Sequence, residues 1–327
     1  KELWYSAPPG GTVLKVFAVT PSGRVRPLMS APTMMQVQDV AADGRLLLLS
    51  QGGRLSAYLV AGSPPQSHNF TVLDWAFNPL LSADGQEMLL GDQDAGPLYS
   101  TYLRKADGSP PVRLGDGTPV AFSPDGKWAV TVLPSSQQLL LLPAGAGETR
   151  QLTHGAIQFS PRYGAWLPDG RAVLVVGIEA GHKVRTYEVS LDGAVKPVLA
   201  DQVIDPVVTP DGRSVLAHVA GSGQFALYPL AGGAPQFLPW LPAGYFPLRY
   251  AADGRSLYAT HRQSASLDQV FLLSPGAQPR LVYTTSAGDE AGVYLRSIRD
   301  VSRDGKTYAL SGVQNLGTLY IADGVGH

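Results

Sequence analysis

The sequence predicts an all-β fold, a β-propeller of four-stranded blades. Three observations carry that expectation. An Asp-Gly pair recurs at near-constant spacing; the residues around each pair repeat in character; and 37 Gly and 27 Pro in 327 residues interrupt any long helix.

The recurring pairs are Asp43-Gly44, Asp84-Gly85, Asp125-Gly126, Asp169-Gly170, Asp211-Gly212, Asp253-Gly254 and Asp304-Gly305, spaced by 41, 41, 44, 42, 42 and 51 residues. Asp-Gly between apolar runs is a hairpin signal, and a two-residue turn would place both residues at positive φ. The flanks agree. Three residues before each Asp stand Val40, Leu81, Phe122, Trp166, Val208, Tyr250 and Val301. Four residues after it stand Leu47, Met88, Ala129, Val173, Val215, Leu257 and Tyr308, while the second residue after it is always polar. A solvated turn between two buried strands produces that pattern.

Two further strands follow each hairpin. In the third unit the runs are Lys127–Val132, Gln138–Leu142 and Thr149–Leu152. In the fourth they are Ala172–Gly177, Arg185–Val189 and Val195–Leu199, with Asp192-Gly193 turning the last pair. Four antiparallel strands per repeat make a propeller blade, whereas the runner-up, paired sandwiches, would not repeat one motif at constant spacing. The seven hairpins favour seven blades in a single domain, 1–327. The N-terminal segment is then expected to supply the missing outer strand of the last blade, which removes a free edge. Eight blades stay open, because Leu3–Ser6 and Val13–Val19 are surplus to a seven-blade ring. The long last interval is assigned to a loop inserted around Ser286–Gly292.

Composition limits the function classes. Lys and Arg number 25 against 26 Asp and Glu, so no basic face is implied and nucleic acid is not an expected partner. The sequence has no Cys, which excludes disulfides and thiolate metal sites. No apolar run is long enough to span a bilayer, so no membrane insertion within this chain is expected. The opening Lys1, without Met or an apolar leader, fits removal of an upstream signal or anchor.

Phe122-Ser123-Pro124-Asp125-Gly126-Lys127-Trp128, Leu167-Pro168-Asp169-Gly170-Arg171 and Thr209-Pro210-Asp211-Gly212-Arg213 resemble the Ser-Pro-Asp-Gly-Lys signature of TolB-type, WD-like propeller repeats. The other repeats depart from it, with Ala42, Ala83, Ala252 and Arg303 in place of Pro. The resemblance implies a bacterial, extracytoplasmic (periplasmic or cell-surface) module that binds a protein or small ligand as scaffold or sensor; the chain is expected to be a monomer. It does not fix the function.

The sequence has no Gly-x-Ser-x-Gly elbow, no phosphate-binding Gly-rich loop ending in Lys and no His-Glu-x-x-His. Asp92-Gln93-Asp94 with Gly96 faintly resembles a calcium loop but lacks the other ligands, so solvated loop acids are expected. No cofactor and no metal is expected, and binding is favoured over catalysis. The alternative is a lactonase-like hydrolase or lyase acting at the channel mouth. Two residue sets are candidates. On or beside the innermost strands, bordering the channel, stand Asp39, Trp75, Asn78, Arg162, Tyr163, Asp205, Tyr245, Arg249, Arg299 and Asp300. Arg162 and Arg249 could clamp an anion or pair with nearby aspartates. His154, His182, His218 and His261 map to loops on one face, where imidazole is a versatile ligand.

Overall fold

The structure, a computed structural model, describes residues 2–7, 15–29, 34–73, 75–93, 99–264, 267–285 and 293–323. Among them every regular element is a β-strand. The chain divides into two units. The smaller comprises the described residues of Lys1–Arg54, Asp289–Tyr294 and Val313–His327; the larger comprises those of Leu55–Gly288 and Leu295–Gly312.

In the smaller unit, β1 (Leu3–Ala7), β2 (Lys15–Val19) and β3 (Val25–Met29) form a three-stranded antiparallel sheet. Beside these in sequence, β4 (Met34–Val40) pairs antiparallel with the start of β5 (Leu46–Ala61) around the Asp43 hairpin. Val16, Met35, Leu46 and Leu48 bury a small apolar cluster edged by Trp4, Leu28 and Val37.

The larger unit is built from six four-stranded antiparallel blades. The strand β6 (Gln66–Asn69) belongs to the closing blade. The first blade holds β7 (Phe77–Leu81), β8 (Glu87–Gln93), β9 (Tyr99–Lys105) and β10 (Val112–Asp116). The second holds β11 (Thr118–Phe122), β12 (Trp128–Val132), β13 (Leu139–Pro143) and β14 (Arg150–Gln151). The third holds β15 (Gln158–Trp166), β16 (Ala172–Ile178), β17 (Arg185–Ser190) and β18 (Val195–Pro197). The fourth holds β19 (Val203–Val208), β20 (Ser214–Val219), β21 (Phe225–Pro229) and β22 (Gln236–Phe237). The fifth holds β23 (Phe246–Tyr250), β24 (Leu257–Arg262), β25 (Asp268–Leu273) and β26 (Arg280–Thr284). The sixth begins with the parts of β27 (Val293–Val301) and β28 (Tyr308–Ala322) that fall within Leu295–Gly312, and is completed by the second half of β5 and by β6.

The expected all-β propeller class is therefore present, with six blades in the larger unit rather than seven. Closure does use an early segment, but it supplies two outer strands from Leu55–Asn69 and not one strand from the first 30 residues. The Asp43 hairpin lies in the smaller unit, so the seventh copy of the motif builds no blade of the larger one. Apolar side chains between successive blades form the core, as where Val130, Leu141, Val173, Val175 and Tyr187 pack between the second and third. The Ser286–Gly292 insertion lies outside the described residues.

The repeated turn differs from a two-residue hairpin. In each copy the Gly N–H donates to the carbonyl three residues back, as Gly126 to Ser123 at 3.0 Å. Gly takes positive φ (Gly126 +69°, Gly305 +71°), while none of the seven aspartates does. Asp and Gly are therefore the third and fourth positions of a turn opened most often by Ser or Thr, with Pro favoured second. That chemistry accounts for the Ser-Pro-Asp-Gly order. The aspartate also caps the turn. Asp125 Oδ1 accepts from Ser123 Oγ at 2.7 Å and from the Lys127 N–H at 3.1 Å.

Candidate functional site

The first strands of the six blades enclose a cavity of about 610 Å³. These strands are the inner edges of their sheets, so one row of backbone groups faces the cavity and not a fifth strand. Five of them break register partway, between Phe77 and Leu80, Pro119 and Ala121, Phe159 and Gly164, Ile204 and Val207, and Pro247 and Arg249. A proline stands at each break: Pro79, Pro119, Pro161, Pro206 and Pro247. Proline has no N–H to donate and is tolerated at edges and bulges. Two of these prolines follow residues at positive φ, Asn78 (+51°) and Asp205 (+59°), the residue types that best tolerate that conformation after glycine. Asn78 Nδ2 donates to the carbonyls of Pro119 at 2.7 Å and Pro161 at 3.2 Å, tying three blades together at the cavity wall.

At the hairpin end the polar groups are closed on one another. Asp300 Oδ2 accepts from Arg249 Nη2 at 2.7 Å and from the Leu81 N–H at 2.9 Å, while its Oδ1 accepts from the Val301 N–H at 2.8 Å. Arg249 also donates to the carbonyls of Leu81 at 2.9 Å and Ser82 at 3.2 Å. One ion pair thus joins the fifth, sixth and first blades. Burial pushes the Asp300 carboxyl above the usual carboxylate range, against the pull of Arg249 and two backbone N–H groups.

The opposite end is different. Asp205 Oδ2 lies 2.7 Å from His218 Nε2, and His218 Nδ1 lies 3.0 Å from the Val219 carbonyl. A carbonyl only accepts, so Nδ1 carries a proton and donates to it. His218 is buried, and its ring packs 4.6 Å from that of Phe225, which meets Phe246 edge-on at 6.1 Å. On the next blade Asp268, 2% exposed, accepts the Ile298 N–H at Oδ2 (3.1 Å) and has Arg262 Nη2 3.6 Å from the same oxygen. Asp205 Oδ1 and Asp268 Oδ1 are buried and have no hydrogen-bond partner. Arg162 lines the same cavity from the bulge of β15, and its guanidinium has no side-chain or backbone partner among the described residues.

Several expected site residues lie elsewhere. Asp39, on β4 in the smaller unit, is exposed and accepts its neighbour's Val40 N–H; it borders a shallow cleft with Trp4, Tyr5 and Gln36, not the propeller cavity. Trp75 is half exposed ahead of β7, and its N–H donates to Asp92. Tyr163 lies on β15, but its side chain is outside the described residues. Tyr245 stacks on His261 at 4.7 Å and meets Phe271 edge-on at 5.3 Å. Arg299 lines the cavity. His154 is exposed in its loop, and His182 sits 3.6 Å from Asp201. Of the four loop-face histidines, His218 alone is bonded to a cavity-lining carboxylate. Among the described residues no group of three or more His, Cys, Asp or Glu side chains comes together as a metal site would require.

Asp92 corrects the expectation of solvated loop acids. It is fully buried, and its carboxylate accepts the N–H groups of Val72, Leu73, Trp75 and Gln93, holding the approach to β7. Asp94 and Gly96 lie outside the described residues. Phe225, Arg262 and Asp268 were not singled out from sequence, because they sit at the end of a second strand or the head of a third. The signal available was a polar residue opening an otherwise apolar run, as Asp268 does before Val270–Leu273.

No family model and no curated protein matches this sequence. Solved propeller structures do resemble the chain. TolB from Acinetobacter baumannii aligns at 14% identity over 81% of this chain, with a TM-score of 0.48; the chain spans 66% of that protein's length. A TolB assignment from Agrobacterium tumefaciens aligns at 19% identity over 90% of this chain and 94% of that one, TM-score 0.44. An oligogalacturonate lyase in complex with manganese aligns at 14% identity over 84% of this chain and 77% of its own, with a TM-score of 0.50. At such identities the likeness is one of fold.

Proposed function

We propose that the chain is a non-catalytic binding propeller whose ligand enters the cavity at the end opposite the hairpins. The observation that carries this reading is the cavity end opposite the hairpins, where Asp205, Arg262 and Asp268 stand with Phe225 and Phe246 in the lining, a few polar groups set in an apolar wall. A cavity near 610 Å³ falls in the range that encloses a small ligand or a segment of a protein partner. His218 has both ring nitrogens engaged, which suits a residue that fixes Asp205 more than one that exchanges protons with a substrate. A monomeric scaffold or sensor role in a bacterial envelope is part of the same proposal, a placement that fractionation of the native host would test.

A second reading is favoured by the same 2.7 Å Asp205–His218 contact: a hydrolase or lyase using that pair at the channel mouth. The two readings separate on one experiment. Purified protein is screened for ligand-induced thermal stabilisation and, in parallel, for turnover of esters, lactones and acidic glycans. Stabilisation that is lost in Asp268→Asn, without turnover, supports binding. Turnover abolished by His218→Gln overturns it in favour of catalysis.

A further inference from the structure

The charge of the cavity lining bears on what the cavity holds, given the reading of the cavity as a binding site. Five arginines line it: Arg162 on the third blade, Arg249 and Arg262 on the fifth, Arg299 and Arg303 on the sixth. Against them stand three aspartates, with no Lys or Glu among the described lining residues. Five positive charges less three negative leave an excess of two. The whole chain carries 25 Lys and Arg against 26 Asp and Glu, so the excess belongs to the cavity and not to the composition. We infer that the cavity takes a small polyanion, a molecule with two or more phosphate or carboxylate groups.

The three carboxylates are already committed within the protein. Asp300 is held by Arg249 at 2.7 Å, Asp268 is faced by Arg262 at 3.6 Å and Asp205 by His218 at 2.7 Å. A ligand therefore meets the cationic part of the lining, where Arg162, Arg262 and Arg303 are exposed. These three lie at different depths. Arg303 is the second residue of its turn, at the hairpin end, where its equivalents are Ala83, Pro124, Pro168, Pro210 and Ala252; it alone of the six is charged. Its backbone is held from both sides, the N–H donating to the Ala83 carbonyl at 2.9 Å and the carbonyl accepting the Ala252 N–H at 3.0 Å. Arg162 stands at the bulge of β15, and Arg262 ends β24 at the opposite mouth. Cations spread along a cavity match a molecule with several anionic groups better than one with a single group. Arginine suits that role, since its planar fork meets two oxygens of a carboxylate or phosphate at once. Apolar lining such as Val120, Leu248 and Phe246 lowers the local dielectric and strengthens the attraction.

The test is titration calorimetry on the full chain with citrate, a hexose bisphosphate and inorganic phosphate. The free hexose serves as the uncharged match and spermidine as the opposite sign. The expected result is that citrate or the bisphosphate binds about tenfold or more tighter than inorganic phosphate. Binding should weaken at about 0.5 M NaCl, which screens charges beyond a few ångströms. Tighter citrate identifies carboxylates and tighter bisphosphate identifies phosphates, and either supports the inference. Arg162→Gln and Arg303→Gln should each weaken binding by about fivefold or more, and their urea unfolding should match that of the unsubstituted chain. Arg213→Gln, at an exposed turn arginine outside the lining, should leave binding unchanged. An equal loss in Arg213→Gln, or no loss in either lining variant, overturns the assignment. Inorganic phosphate binding as tightly as the larger anions overturns the need for several anionic groups. Binding of the free hexose or spermidine alone, weakened by Phe246→Ala, overturns the ligand class while leaving the cavity reading intact. No binding by any probe overturns both.

Discussion

The two ends of the propeller cavity treat their carboxylates in opposite ways. At the hairpin end Asp300 has both oxygens engaged, by a guanidinium and two backbone N–H groups. At the other end Asp205 and Asp268 each spend one oxygen on the protein and leave one without a donor. Burial is similar for Asp300 and Asp268, so burial does not separate them. What separates them is where the neighbouring blade presents its donors. At the hairpin end Arg249 reaches the backbone of the first blade and the side chain of the sixth. At the far end Asp268 takes one first-strand N–H, that of Ile298, while the other five first strands carry at their register breaks a proline, which has no N–H to give. One end joins three blades through a closed ion pair; the other leaves two buried carboxylate oxygens without donors.

The largest expected effect comes from breaking the closed end. Asp300→Ala leaves Arg249 partly buried without its counter-charge and the Leu81 N–H without an acceptor. Losing one member of a buried pair typically costs about 3–5 kcal/mol. Urea unfolding should show a loss of that order, and the double variant Arg249→Met/Asp300→Leu should recover part of it. A loss near zero for the single variant would show that the ring closes without this pair.

The open end should respond weakly to the equivalent change. Asp268→Asn and Asp205→Asn keep size and shape, and in the second variant the introduced amide can donate to His218 Nε2 once Nδ1 holds the proton that goes to Val219. Both should change stability by less than about 1 kcal/mol, in the range of ordinary tolerated substitutions. If either matched Asp300→Ala, the far end would be structural and the contrast between the ends would fail.

This contrast was only partly legible in the sequence. The Asp-Gly repeat identified the blades because the turn is local: Ser or Thr, Pro, Asp and Gly each take their own positions within four residues. The same locality does not say which sheet a copy joins: the Asp43 turn has the same Asp43–Arg45 contact as the others, while its strand β5 pairs with β28, far away in sequence. Asp205, Arg249 and Asp300 could be placed on inner strands because they precede a hairpin by a fixed offset. Asp268 and Phe225 could not, since their approach to the cavity depends on how the loop between second and third strands folds back. Nor does sequence distinguish an aspartate with both oxygens engaged from one with an oxygen to spare.

The smallest expected effect is one of pH, and it separates two kinds of carboxylate within the hairpin end itself. Asp84, Asp125, Asp211, Asp253 and Asp304 are held below the usual carboxylate range, each chiefly by a neighbouring hydroxyl and then by backbone N–H groups. A lowered folded value means that their contribution is complete above the ordinary carboxylate range. It is lost as pH falls through the lowered values, below about pH 4. Asp300 has the opposite sign: its folded value is raised, so its contribution is complete in acid and declines as pH rises through that raised value. Asp211→Asn should therefore flatten the acid limb of a plot of stability against pH, by a fraction of a kcal/mol because the turn is largely solvated. Asp300→Asn should leave that limb in place and make the curve climb more steeply just above it. Thermal melts at closely spaced pH values read both slopes, and identical slopes in the two variants would show that the turn aspartates and the ring-closing aspartate titrate as one population.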